Sequence, residues 1–277
     1  MTKRSFARLA ASVVGLVAAT VALSLGPGTG GATASTPRPW RLVALGDSIP
    51  FGGRYCGGCV AYPSLLGAKL ARLSGHPVSI MSLGVPGLTT AELLANVRGR
   101  ADVREAIASA DIVTITIGHN DTPWNSRHDS CDGSHAYFGP YRDALWATYT
   151  GLCLATESDA LRARLGSILA TIRSLRAGRP TVIEVTTDWN QVIGQTGITA
   201  QARRATKAVL DRFASATCGA ARSAGARCGD VYHAFNGPDG TRSAGTQLAQ
   251  DHDHASQRGH QAIATLLANF RYAPLTR

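Results

Sequence analysis

Short apolar runs alternate with longer segments of helical periodicity along most of the chain. Four runs rich in valine, isoleucine and leucine predict strands at residues 41–46, 78–83, 111–117 and 181–186, the first of them a buried parallel strand. A weaker run predicts a fifth strand at residues 230–235. Apolar positions at helical spacing predict helices at residues 62–73, around 93–97, and at 161–175, 199–224 and 256–270. Strands that alternate with helices indicate βαβ units, and therefore a mostly parallel five-stranded sheet covered on both faces.

Polar residues follow three of these strands where each one ends. The turns are Gly46-Asp47-Ser48, Gly84-Val85-Pro86-Gly87 and Gly118-His119-Asn120-Asp121. In a parallel sheet such turns share one edge, so the Ser48 hydroxyl, the Gly87 N–H and the Asn120 carboxamide are predicted to converge. Acyl transfer needs a nucleophile beside fixed neutral donors, which stabilise the oxyanion that forms. By itself, the first turn is also typical of a helix cap.

A general base is supplied near the C-terminus by the segment Asp251-His252-Asp253-His254. His254 precedes the last predicted helix, and Asp251 lies three residues earlier, where it can bind the imidazole Nδ1 and fix its tautomer. The alternative is that the two histidines and two aspartates of this segment form a metal cluster. His260 is predicted to be a packing or surface residue.

The other polar residues of the third turn are given supporting roles. His119 is interpreted as structural or as lining the cleft, and Asp121 as an anchor of its own turn. Neither residue is predicted to take part in the chemistry.

The four blocks, in this order, resemble those of the SGNH (GDSL-type) hydrolase family, and together they span residues 46–254. The resemblance implies a flavodoxin-like three-layer α/β/α sandwich and metal-free ester hydrolysis without a cofactor. It implies that Ser48 is the nucleophile and also an oxyanion donor through its own N–H, with Gly87 and Asn120 as the other donors. His254 would be the base and Asp251 its orienting partner.

Two residues depart from the family pattern. Ile49 stands where leucine is usual, and Pro86 stands where serine often precedes the glycine of the second block, which leaves Gly84 as an alternative donor. In some relatives a backbone carbonyl replaces the aspartate, here Asp251. An ordinary α/β-hydrolase is disfavoured because the chain has no Gly-x-Ser-x-Gly elbow.

The first 34 residues are predicted to be a secretory signal peptide. A basic start is followed by an apolar stretch at residues 9–25 and a small-x-small site at Ala32-Thr33-Ala34. The mature chain, residues 35–277, would form one hydrolase domain outside the cell, with no apolar run long enough to cross a bilayer. Export by the general or the twin-arginine route is left open.

Six cysteines follow the signal, an even number that favours disulfides in an exported protein. Pairing neighbours along the chain gives Cys56–Cys59, Cys131–Cys153 and Cys218–Cys228. Cys56-Gly57-Gly58-Cys59 is also compatible with half of a zinc site or a redox pair, but no second Cys-x-x-Cys completes a zinc site. The residues therefore favour three structural disulfides.

Composition narrows the set of partners. The formal net charge is +10, but the arginines are scattered along helices without interleaved aromatics, which argues against nucleic acid. The predicted substrate is an acyl ester of a lipid or small molecule, and the predicted state is a monomer. An aromatic insertion at residues 122–151 would line the substrate cleft or form a small satellite core.

Two other functions are kept open. The first is removal of acetyl groups from a polysaccharide, because aromatic residues in the insertion could stack on sugars. The second is a binding module without turnover. Chain length and head group of the ester are not readable from the sequence.

Overall fold

A computed structural model of the chain describes residues 37–126, 129–131, 149 and 151–275. The predicted signal peptide lies outside the described residues. So does most of the aromatic insertion, including its aromatic positions Tyr137, Phe138, Tyr141 and Trp146.

Five parallel strands form one sheet, which confirms the predicted fold class. They are β1 (Trp40–Gly46), β2 (Val78–Gly84), β3 (Ile112–Thr116), β4 (Val182–Thr186) and β5 (Arg227–Gly229). Their order across the sheet is β2-β1-β3-β4-β5, the flavodoxin-like arrangement. The order reverses beside β1, so the turn after this strand lies at the position where such sheets bind ligands.

Helices cover both faces of the sheet. They are α1 (Ser48–Phe51), α2 (Tyr62–Ser74), α3 (Thr90–Gly99), α4 (Ala101–Ser109), α5 (Gly151–Leu175), α6 (Ala200–Ser223), α7 (Val231–Asn236) and α8 (Gln257–Ala268). Buried residues of α3 to α6 form one hydrophobic core, and those of α2 and α8 form a second. Alternate residues of β1 face the two cores, since Val43 belongs to the first and Leu42 to the second. None of the described helices combines the length and the apolar character needed to span a membrane.

The prediction of a strand at residues 230–235 is wrong. This segment is helix α7, and the fifth strand lies just before it, at Arg227–Gly229. The Asp230 side chain caps the helix by accepting from the N–H of His233 at 3.1 Å. Val231 and Phe235, four positions apart, are buried in the second core, which is helical rather than alternating spacing.

Three disulfides join the cysteine pairs that are neighbours along the chain: Cys56–Cys59, Cys131–Cys153 and Cys218–Cys228. The third connects α6 to β5, and the first closes a short loop before α2. These are the pairs that the sequence analysis predicts.

Gly46 lies where β1 comes closest to β3. Its φ is +134°, and a Cβ built on it would overlap the carbonyl oxygen of Thr116. That oxygen accepts a hydrogen bond from the N–H of Asp47 at 3.1 Å. The turn after β1 is therefore held against β3 by the backbone, and only glycine fits at its first position.

One carboxyl group lies in the middle of the sheet. Glu184 of β4 is fully buried, and its Oε1 lies 3.7 Å from Nη1 of Arg227. Burial raises the pKa of Glu184 to about 8, because desolvation outweighs the effects of Tyr272 and Arg227.

The raised pKa of Glu184 makes the stability of the fold depend on pH, and Glu184→Gln should remove that dependence. A raised folded-state pKa means that the contribution of Glu184 to stability is complete below its unfolded value of 4.5 and is lost as pH rises through about 8. As the pH rises from 5 to 9, the free energy of unfolding of the variant should increase by on the order of 4 kcal/mol relative to that of the natural protein. Denaturant unfolding of both proteins across this range measures the difference. Two curves that stay parallel would contradict the prediction.

Candidate active site

Ser48 is placed by the turn after β1. Asp47 Oδ1 accepts from the N–H of Ile49 at 3.0 Å and so caps α1, of which Ser48 is the first residue. Asp47 is therefore the helix cap, and Ser48, the next residue, belongs to the candidate site. Asp47 is buried, and its Oδ2 has no hydrogen-bond partner in the described part of the chain. Burial raises the pKa of Asp47 to about 7.

The structure brings Ser48, His254 and Asp251 together. His254 Nε2 lies 3.0 Å from Ser48 Oγ, although 206 residues separate them, and His254 Nδ1 lies 2.8 Å from Asp251 Oδ2. Asp251 Oδ1 accepts from the backbone N–H groups of Asp253 and His254, each at 3.0 Å. One carboxylate thus holds both the imidazole and the turn that carries it. With Nδ1 protonated toward Asp251, Nε2 is free to accept the hydroxyl proton of Ser48.

The predicted donors lie on the two neighbouring turns. Gly87 has a φ of +78° and borders open space, while the Asn120 carboxamide donates to the Leu88 carbonyl at 3.0 Å. This bond ties the turn after β3 to the turn after β2. Gly84, the alternative donor, lies where a Cβ would overlap the backbone of Phe51, so the end of β2 packs directly on α1.

Asp121 connects the same two turns. Both of its carboxylate oxygens accept from Thr90, one from the backbone N–H at 2.9 Å and one from the hydroxyl. The residue therefore stabilises the start of α3 as well as its own turn.

His119 lies between two carboxylates. Its Nδ1 is 3.0 Å from Asp188 Oδ2, and its Nε2 is 3.1 Å from Asp253 Oδ1. Burial opposes a charge on this ring, but Asp188 and Asp253 together raise the pKa of His119 well above its ordinary value. The two carboxylates therefore favour the charged form of His119 near the candidate site.

His254 is also contacted from a loop. The Tyr55 ring stacks on the imidazole with centroids 4.0 Å apart and planes inclined by 8°. Tyr55 precedes Cys56 of the first disulfide, and Val60 after that disulfide donates its N–H to Gln257 Oε1 at 2.8 Å. The disulfide loop thus contacts the His254 ring through Tyr55 and the start of α8 through Val60.

Sequence reasoning missed Tyr55 and Asp188, and it considered Asp253 only as a member of a metal cluster. Asp188 follows β4 as closely as Ser48 follows β1, so its position after a strand was a usable signal. Nothing in the sequence indicates the stacking of Tyr55.

His260 is buried on α8, where its Nδ1 accepts from the N–H of Tyr62 at 3.3 Å. Burial, followed by the effect of His254, lowers the pKa of His260 to about 4. In the described residues, its ring nitrogen and the sulfurs of Cys56 and Cys59 form the only cluster with metal-ligand spacing. Both sulfurs are in a disulfide, and a thiolate is the form that binds metal.

The family model for GDSL-like lipases and acylhydrolases matches residues 44–262 of the chain. No curated protein matches the sequence significantly.

Several solved structures are similar in fold. A lipase from the goat rumen metagenome is 18% identical with a TM-score of 0.62, over 83% of this chain and 98% of that one. An acetylxylan esterase from Geobacillus stearothermophilus is 19% identical with a TM-score of 0.54, over 86% of this chain and 97% of that one. An α/β-hydrolase enzyme from the metagenome of Lake Arreo is 22% identical with a TM-score of 0.52, over 83% and 94%.

Proposed function

The chain belongs to the GDSL-like lipase/acylhydrolase family, and from this premise we propose that it is a secreted serine hydrolase that cleaves carboxylic esters through an acyl-enzyme. The observation that carries the proposal is the contact of Ser48 Oγ with His254 Nε2 at 3.0 Å, on an imidazole whose Nδ1 binds Asp251. A hydroxyl, a base and an orienting carboxylate in this order are what nucleophilic ester hydrolysis requires.

The proposed reaction has two halves. Ser48 Oγ attacks the ester carbonyl while His254 Nε2 takes its proton, and the resulting oxyanion is stabilised by the N–H groups of Ser48 and Gly87 and by the Asn120 carboxamide. Collapse breaks the bond to the leaving alcohol, which receives the proton from His254. Water then attacks the acyl-enzyme by the same route and regenerates Ser48.

Acyl esters of lipids or small molecules are the preferred substrate class. Removal of acetyl groups from a polysaccharide is the alternative, and the activity named for the Geobacillus structure is of this kind. Trp124, the described tryptophan of the aromatic insertion, is buried in the first core and does not offer a face to a sugar. Trp124 therefore gives no support to glycan stacking.

Secretion is part of the proposal. The basic and apolar N-terminal segment supports export with cleavage after Ala34. Three disulfides support it as well, since such bonds persist in oxidising compartments.

A fluorophosphonate probe should label the purified protein at Ser48 and at no other serine, because only a serine with an adjacent base is nucleophilic enough to react. Mass spectrometry of the digested protein identifies the site. In parallel, p-nitrophenyl esters from acetate to palmitate and acetylated xylan are offered to the same preparation. Activity on esters without labelling at Ser48 would overturn the assignment, and release of acetate from xylan alone would favour the polysaccharide alternative.

A further inference from the structure

A second carboxylate faces His254 beside the one that binds it. Asp253 Oδ2 lies 3.6 Å from His254 Nδ1, whereas Asp251 Oδ2 lies 2.8 Å from the same atom. The other oxygen of Asp253 lies 3.1 Å from Nε2 of His119. Asp253 thus stands between two imidazole rings and contacts both.

The position of Asp253 is fixed from three sides. His119 follows β3 and is itself held by Asp188, which follows β4. The indole Nε1 of Trp189 donates to the Asp253 carbonyl at 3.1 Å, and the Asp253 N–H donates to Asp251. Backbone and side chain of Asp253 are therefore both restrained next to His254.

We propose that Asp253, held by His119, is a second positioning residue for His254 and supports its imidazolium when Asp251 is lost. This inference rests on the proposed function. A separation of 3.6 Å is within ion-pair range, so Asp253 attracts a charged His254 even without a hydrogen bond. His119 limits this attraction because its own positive charge partly compensates the same carboxylate.

The charge states agree with this arrangement. Burial raises the pKa of Asp253, but His119 and His254 more than offset it, so that its pKa is lowered below the ordinary value. The pKa of His119 is raised well above the ordinary value, against the effect of burial, by its two carboxylates. Asp253 is therefore an anion and His119 a cation at neutral pH.

Other described groups also face the two rings. His254 is stacked on Tyr55, bonded to Ser48 and influenced by His260 from α8. His119 interacts electrostatically with Asp47 of the first turn, besides Asp188 and Asp253.

The test is a double-mutant cycle with Asp251→Asn and Asp253→Asn, measured as kcat/KM on a p-nitrophenyl ester. Asparagine at 251 keeps an oxygen for the two backbone N–H groups that Asp251 binds. Loss of the sole carboxylate partner of a catalytic histidine costs about 10⁴-fold. We expect Asp251→Asn to cost at most about 10²-fold, Asp253→Asn less than about 10-fold, and the double variant about 10⁴-fold.

Two results would overturn the inference. Asp251→Asn alone could reach the full loss of about 10⁴-fold, or Asp253→Asn could lower activity by the same factor in both backgrounds. Failure of the proposed function looks different, because the natural protein would then lack activity that depends on Ser48. Near-UV circular dichroism of each variant ensures that equal amounts of folded protein are compared.

The pH profile of kcat/KM separates this role from a merely structural one. Asp253→Asn removes a negative charge beside His254, so the acidic limb should move to lower pH. His119→Gln removes the compensating positive charge, so the limb should move to higher pH. His233→Gln is the matched control. His233 lies on α7, where its Nδ1 is 2.7 Å from Asp230 Oδ2, and this variant should leave the acidic limb in place. Acidic limbs that coincide in all four proteins would overturn the proposal.

Discussion

Ser48→Ala should lower kcat/KM for a p-nitrophenyl ester by about 10⁴- to 10⁶-fold, the range found when the nucleophile of a serine hydrolase is removed. The Ser48 hydroxyl lies 3.0 Å from His254 Nε2, and alanine leaves the imidazole without a hydroxyl to deprotonate. The fold should be unchanged, because alanine at the first position of α1 retains the backbone and the Asp47 cap. Steady-state kinetics of the purified variant measure the loss.

Residues that act as one unit give losses that do not multiply. The double variant Ser48→Ala/His254→Ala should therefore be about as slow as Ser48→Ala alone. Ser109→Ala, at the end of α4, makes the same chemical change away from Ser48 and should retain full activity. An Ser48→Ala protein that keeps a tenth or more of the natural rate would show that the nucleophile lies elsewhere.

Gly46→Ala should reduce the free energy of unfolding by about 2–6 kcal/mol, or prevent folding altogether. Two costs add here. The φ of +134° is strained for alanine, which costs about 1–3 kcal/mol. The new Cβ would also overlap the Thr116 carbonyl, which forces β1 and β3 apart in a packed sheet at a similar cost. Denaturant unfolding monitored by circular dichroism measures the change.

Gly99→Ala is the matched control for this substitution. Gly99 ends α3, is exposed and has open space around its Cβ position, so alanine should be neutral or stabilising there. If the free energy of unfolding of Gly46→Ala is within about 1 kcal/mol of that of the natural protein, the close approach of β1 to β3 does not require glycine at this position.

Much of the fold was predictable because local pattern and tertiary structure agree. Strands β1, β3 and β4 are buried apolar runs, β2 is a largely exposed edge strand, and parallel topology places the turns that follow all four at one edge. This is why the turns that carry Ser48, Gly87 and Asn120 could be placed together, whereas His254, 206 positions after Ser48, was assigned from its spacing to Asp251 and from the family resemblance. The fifth strand was misplaced because β5 has only three residues and the apolar positions of helix α7 follow directly after it.

The surroundings of His254 were not predictable in the same way. The pair of His119 and Asp188 joins the ends of two strands; the sequence places each residue after a strand but does not give the distance between them. The stacking of Tyr55 depends on how a loop closed by a disulfide lies across the start of α8. Such contacts follow from the assembled fold rather than from periodicity or turn chemistry.

The link between Val60 and Gln257 bears on the alignment of Ser48 and His254. Together with the contact of Tyr62 and His260, it joins the beginning of α2 to the beginning of α8, and both helices belong to the same core. Because His254 lies three residues before α8, the packing of α8 on α2 also restrains the segment that carries the imidazole. His254 is thus anchored through the second core as well as through Asp251.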